Sequence, residues 1–234
     1  MVKREFSKFA NEYSRKNIIQ KKIIKRYSYL LEKSSILDLG CGNGDLLKFC
    51  NPRNYIGIDF SKEMLNIHPN NNTYCLDFNT QICWDFIQKQ NFNIFVSFSA
   101  LQWANDLEFI FNNIKKLNKP YLIAIFTSNT FKTIHKTANI TSPIYSKEKI
   151  LEYSKILNPN IETLNYKLYF DNKLEMFRYI KKSGVSSGEK KLSFKEIKKL
   201  INNYPLNYLE FEILVLKPKK MWEKYHKSKN SYLN

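Results

Sequence analysis

Apolar residues along this chain gather into short continuous runs separated by longer amphipathic stretches, the pattern of strands buried on both faces and covered by helices. Runs at 36–40, 55–59, 73–76, 93–98 and 120–127 are expected to be strands, with helices in the segments between them. The clearest helix follows Asp106, where Leu107, Ile110, Phe111, Ile114 and Leu117 recur at helical spacing and Asn105 or Asp106 can cap the first turn. After residue 128 the rhythm changes. Thr130 to Ile144 has weak periodicity and reads as a loop or insertion. A helix near 147–157, a strand near 161–170, helices near 173–182 and 194–203, and a last strand at 208–216 then follow. Such alternation of strand and helix points to an α/β domain with a mostly parallel sheet, and no internal repeat is visible.

Composition adds bounds. The chain has 234 residues, 43% of them hydrophobic and 15% aromatic, enough to fill one sizeable core, so a single domain is expected. Its longest apolar stretch, Tyr121 to Phe126, is far too short to cross a bilayer, and no apolar run follows Lys3 and Arg4, so a cytoplasmic location is expected. Cys41, Cys50, Cys75 and Cys83 form no C-x-x-C pair, and His68, His135 and His226 are widely separated, which suggests neither a zinc site nor a disulfide framework. The formal charge of +17 admits nucleic acid, an acidic carrier protein or an anionic membrane as partner; a solvated lysine-rich exterior fits equally.

Candidate chemistry concentrates at the first two strands. Ser35-Ile36-Leu37 runs into Asp38-Leu39-Gly40-Cys41-Gly42-Asn43-Gly44 and then into a helix-like Asp45-Leu46-Leu47-Lys48-Phe49, while the second strand ends on Asp59. Three glycines at alternate positions let backbone amides approach a ligand where side chains would block it. A carboxylate about 20 residues beyond the first glycine suits a ribose diol, whether of a dinucleotide or of S-adenosylmethionine. Spacing separates the two, since a dinucleotide fingerprint is G-x-G-x-x-G whereas this loop is G-x-G-x-G with Asp38 before it.

That arrangement resembles the class I S-adenosylmethionine-dependent methyltransferases. The resemblance implies a Rossmann-like α/β fold: a seven-stranded, mostly parallel sheet with helices on both faces and an antiparallel last strand. It also implies that Asp38 faces the methionine amino end, that Gly40, Gly42 and Gly44 underlie the methionine moiety, and that Asp59 holds both ribose hydroxyls. Asp77, just after the third strand, would accept from the adenine amino group, the Phe78 amide would serve a ring nitrogen, and Phe60 could stack on the adenine.

More narrowly, the chain resembles the malonyl-[acyl-carrier protein] O-methyltransferases of biotin synthesis. The likeness rests on Phe6-x-x-x-Ala10-x-x-Tyr13 followed by Gln20, on Ala100-Leu101-Gln102-Trp103-Ala104, on Met176-Phe177-Arg178-Tyr179-Ile180-Lys181-Lys182-Ser183-Gly184-Val185, and on Tyr204-Pro205-Leu206-Asn207-Tyr208. It implies methyl transfer from S-adenosylmethionine to the free carboxylate of a malonyl group on an acidic, phosphopantetheine-bearing acyl carrier protein, with no nucleic acid, membrane or metal involved. A carboxylate is already ionised at neutral pH, so no general base is expected. Arg178 is the candidate to orient the carboxylate, Trp103 to wall the acyl channel, and Gln102 to contact cofactor or substrate. Tyr13 would belong to a helical lid over residues 1–34, followed by a cofactor-binding half (35–127), a substrate-side half (128–217) and a basic tail (218–234). A methyltransferase acting on RNA or on another small acid is the competing enzyme reading, and a non-catalytic nucleic-acid-binding module is the competing non-enzyme reading.

Overall fold

The computed structural model describes residues 17–182 and 193–219. Helix α1 (Ile18–Tyr27) leads into β1 (Ser35–Leu39), β2 (Asn54–Asp59), α2 (Lys62–Asn66), β3 (Thr73–Cys75), α3 (Gln81–Gln88), β4 (Ile94–Phe98), α4 (Leu107–Leu117) and β5 (Tyr121–Phe126). The second half contains α5 (Lys132–Ala138), α6 (Lys147–Ser154), β6 (Pro159–Tyr169), α7 (Lys173–Lys182), α8 (Phe194–Asn203) and β7 (Tyr208–Pro218). The strands form one sheet in the order β3-β2-β1-β4-β5-β7-β6. β1 to β5 are mutually parallel, and β7 runs antiparallel to both β5 and β6, so only the last strand is reversed. This is the expected class I architecture, and its strand order reverses direction between β1 and β4, where open α/β sheets bind ligands.

Why the first-half strands read as unbroken apolar runs is now plain. Every residue of β1, β4 and β5 is buried, and successive side chains enter opposite layers. Ile36, Ile94, Val96 and Phe98 join α1, Met176, Leu200 and Tyr204 on one face. Leu37, Phe95 and Ile123 join Trp84, Leu107, Ile110, Phe111 and Ile150 on the other. Asp106 is the cap of α4, its carboxylate accepting from the Phe109 N–H at 2.9 Å. A polar cluster fixes α1 to the far edge of the sheet: Glu162 on β6 accepts from Arg26 (2.8 Å), the Tyr27 hydroxyl (2.8 Å) and the Lys217 ammonium (3.1 Å).

Two expectations need correction. The segment 130–144 is not wholly a loop, because α5 occupies its middle between Phe131 and Asn139, both left-handed, with Phe131 and Ile134 buried. A helix this short buries too few apolar positions to display a period. The helix-like stretch after the glycine loop is a single 3-10 turn, Asp45–Lys48. Residues 1–16 of the expected lid, with Tyr13, and most of the expected tail lie outside the described residues.

Candidate functional site

The loop leaving β1 passes over the end of β2, where the Gly40 and Cys41 amides both donate to the Ile58 carbonyl (2.7 and 3.0 Å). Gly40 has φ +76°, and a Cβ there would lie 2.2 Å from the Cβ of Ala100. Glycine therefore does two things at this position: it adopts a left-handed turn and lets the loop touch the segment that follows β4. At Gly42 (φ +53°) a Cβ would meet nothing within 4 Å, because the residue faces an open cleft. Its N–H donates to Asp59 Oδ2 at 2.9 Å, and the Ser61 N–H donates to Asp59 Oδ1 at 2.8 Å. Asp59 is thus held rigidly from both sides, and each oxygen keeps lone-pair capacity for a further donor. Burial pushes its carboxyl up, against the pull of the Ser61, Gly42 and Phe60 amides.

Asp38 lies beneath this layer, 3% exposed, accepting from the Tyr55 hydroxyl at 2.9 Å. The Tyr55 oxygen is in turn 3.2 Å from His68 Nε2. Burial pushes the Asp38 carboxyl up to about 7; the Tyr55 bond opposes this and the neighbouring Asp59 charge adds to it.

The cleft above these residues encloses about 740 Å³, including the solvent at its mouth, a size suited to a nucleoside-type ligand. Of the expected site residues, Gly40, Gly42, Asp59, Phe60, Phe78 and Trp103 line it. The others are placed around it. Gly44 packs against His68 and Pro69, where a Cβ would clash at 2.6–2.7 Å. Asp77 accepts from the Asn79 N–H (3.1 Å) and side-chain amide (3.0 Å) at the turn after β3. That turn is anchored by Trp84, fully buried, whose indole N–H donates to the Phe78 carbonyl at 2.8 Å. Gln102 is 5% exposed and donates to the Ser99 carbonyl at 2.6 Å. Arg178 is exposed on α7 and outside the lining.

Several lining residues were not among the expected site residues: Asn17, the N-cap of α1, Asp45, Met64 and Ser99, and with them Gln20, which had entered only through the family likeness. Ser99 has φ +62°, a conformation costly for a residue with a Cβ, and its buried hydroxyl has no hydrogen-bond partner among the described residues. This strained residue stands at the end of β4, beside the strand-order reversal, where sequence alone does not reveal it.

Chemically, the cleft presents bare backbone from the Gly40–Gly44 loop, a fixed carboxylate at Asp59, and apolar walls at Phe60, Met64 and Phe78. These residues fit S-adenosylmethionine: the carboxylate for the ribose, the apolar walls for the base, the glycine loop for the amino-acid end. Among the described residues no cluster of three or more histidine, cysteine, aspartate or glutamate side chains could hold a metal ion. No helix among them is long and apolar enough to cross a membrane.

Comparison with known proteins agrees with this geometry. Residues 37–121 match the methyltransferase domain family. A SAM-dependent methyltransferase from Thermotoga maritima superposes on 94% of this chain and 100% of its own, with a TM-score of 0.55 at 14% identity. The chain is accordingly a class I methyltransferase that uses S-adenosylmethionine. Within that class it is similar to the malonyl-[acyl-carrier protein] O-methyltransferase of Calditerrivibrio nitroreducens, 25% identical over 207 residues covering 80% of each chain. The enzyme of that name from Hamiltonella defensa is 23% identical over 235 residues, 89% of this chain and 88% of the relative.

Proposed function

We propose that this methyltransferase esterifies the free carboxylate of a malonyl thioester carried by acyl carrier protein, an early step of biotin synthesis. The observation that carries the reading is the similarity to malonyl-[acyl-carrier protein] O-methyltransferases over four fifths or more of both chains, from both halves of the fold. The cleft is chemically suited to it. Bound S-adenosylmethionine supplies an electrophilic methyl group on its sulfonium. The nucleophile is an already ionised carboxylate, so the protein's task is alignment, which can supply roughly 7–11 kcal/mol of the barrier. Trp103, at the β4 side of the cleft, is proposed to wall the acyl channel, with Gln102 bracing it through the Ser99 carbonyl. Tyr13 is proposed to cover the cofactor. Arg178 is proposed to pair with the malonyl carboxylate, its planar fork matching that group. The remaining cofactor roles, Asp77 and the Phe78 amide for adenine and Asp38 for the amino end, belong to the same proposal.

The test is to incubate the purified protein with labelled S-adenosylmethionine and either malonyl-carrier protein or bulk RNA. The reading expects label in a methyl ester on the carrier-bound malonyl group, detected by mass, and none in RNA. Label in RNA alone, or in neither, rejects it.

A further inference from the structure

The apolar face of α8 is wider than the core needs. Phe194, Ile197 and Leu200 follow one another at three-residue spacing, one row along the helix. Leu200 is buried with Met176 and Tyr179 of α7 and Phe98 of β4, but Ile197 is 40% and Phe194 83% exposed. A capping box fixes this end of the helix: the Glu196 N–H donates to the Ser193 hydroxyl at 3.3 Å, and the Glu196 carboxylate accepts from the Ser193 N–H at 2.7 Å. The two exposed apolar side chains are therefore presented on an anchored turn.

The charge beside that row is of one sign. Lys195, Lys198 and Lys199 are all exposed, and among the described residues none of the three has an ion-pair partner. Glu196, the one acid of α8, is engaged in the cap. An apolar centre with a cationic rim fits a protein face that is acidic around apolar residues. It fits a membrane less well, because α8 has only ten residues and commits Leu200 to the core, leaving no full apolar face to lie in lipid. Nucleic acid would use the lysines and leave Ile197 without a partner. The position suits an acyl donor too. Trp103 packs on the same core layer as Leu200 and lines the cleft, so α8 stands on the sheet face where the acyl channel is proposed to open.

We propose that the first two turns of α8 are the docking surface for the acidic carrier protein, an inference that rests on the carrier reading above. Phe194 and Ile197 bury against apolar residues of the carrier, and Lys195, Lys198 and Lys199 steer and orient its acidic surface, so that the phosphopantetheine arm is delivered toward Trp103.

The experiment measures association and dissociation rates of the full chain with phosphopantetheine-bearing acyl carrier protein that has no malonyl group, so docking is read without methyl transfer. Lys195→Glu combined with Lys198→Glu is expected to lower the association rate about tenfold and to flatten its salt dependence, while Phe194→Ser is expected to raise the dissociation rate about tenfold. Lys115→Glu combined with Lys116→Glu, on α4 at the other sheet face, changes the net charge equally and is expected to alter the association rate less than about twofold. All variants are expected to bind S-adenosylhomocysteine as the parent does. The proposal is overturned if the α8 variants bind the carrier like the parent, if the α4 variant loses as much, or if cofactor binding falls in step. It is also overturned if the parent binds anionic vesicles or RNA and not the carrier, or is a dimer that Phe194→Ser dissociates. A parent that docks the carrier through α8 but transfers no methyl group to its malonyl form supports the surface and rejects the esterification reading; methyl transfer with unaltered docking by the α8 variants rejects the surface alone.

Discussion

Asp38 is the residue whose burial has the clearest measurable consequence. Its carboxyl, ordinarily near 3.9, is pushed up to about 7 inside the protein, so near neutrality it is part protonated. A raised carboxyl pKa means that its contribution to folding is fully present below about pH 3.9 and is lost as pH rises through about 7. A cationic cofactor acts in the opposite sense, since a positive charge above the loop favours the ionised form. Affinity for S-adenosylmethionine is therefore predicted to rise about tenfold from pH 6 to pH 8, with proton uptake by buffer, and Asp38→Asn is predicted to flatten that dependence. A parent protein whose Kd does not change across this range contradicts the argument.

Residue by residue, the motif positions were legible because their chemistry is written in residue type. Glycine adopts the left-handed φ values at Gly40 and Gly42 without the cost that a Cβ brings, and a carboxylate ending β2 has few uses other than holding donors. The places of Asn17 and Ser99 in the cleft wall were not legible, and Gln20 entered only through the family likeness. A place in a cleft wall or a left-handed serine is a property of the surroundings, and nothing in the residue types Asn, Gln or Ser announces it.

Among the elements, α3 matters to the site despite contributing no lining residue. Trp84 fills the core beside Phe95, their rings 6.2 Å apart, and its indole N–H holds the Phe78 carbonyl at the edge of the cleft. Trp84→Phe keeps most of the apolar volume and removes that bond. It is predicted to cost about 1–3 kcal/mol in chemical denaturation and to weaken nucleoside binding, since the Phe78 turn loses its anchor. Unchanged stability would show that the turn is held by other means. Elements themselves were well anticipated where several turns or a whole strand repeat a period, as in α4 and β5. They were missed where the period is too short to show, as in α5, whose existence depends on Phe131 and Ile134 finding the core.

At the scale of the whole molecule, the sheet order and the cleft follow from parallel βα units, and the alternation that reveals those units is present in the sequence. Charge is the molecule-wide property left for function to explain. A protein of formal charge +17 that docks an acidic carrier should associate faster at low ionic strength, because exposed charges are screened within about 10 Å at 0.1 M salt. The association rate with malonyl-carrier protein is predicted to fall several-fold between low and physiological salt, and Arg178→Ala is predicted to raise KM for the carrier while cofactor affinity stays within a few-fold. A salt-independent rate would separate the charge from carrier recognition.

All of these levels meet in one cleft, and the most direct measurement is calorimetric titration of the protein with S-adenosylhomocysteine beside Asp59→Asn. The parent is predicted to bind one equivalent, and Asp59→Asn, which loses the charged acceptor for the ribose, to bind at least tenfold more weakly while remaining folded. No binding by the parent, or equal binding by a folded Asp59→Asn, would contradict the assignment of this cleft to the cofactor.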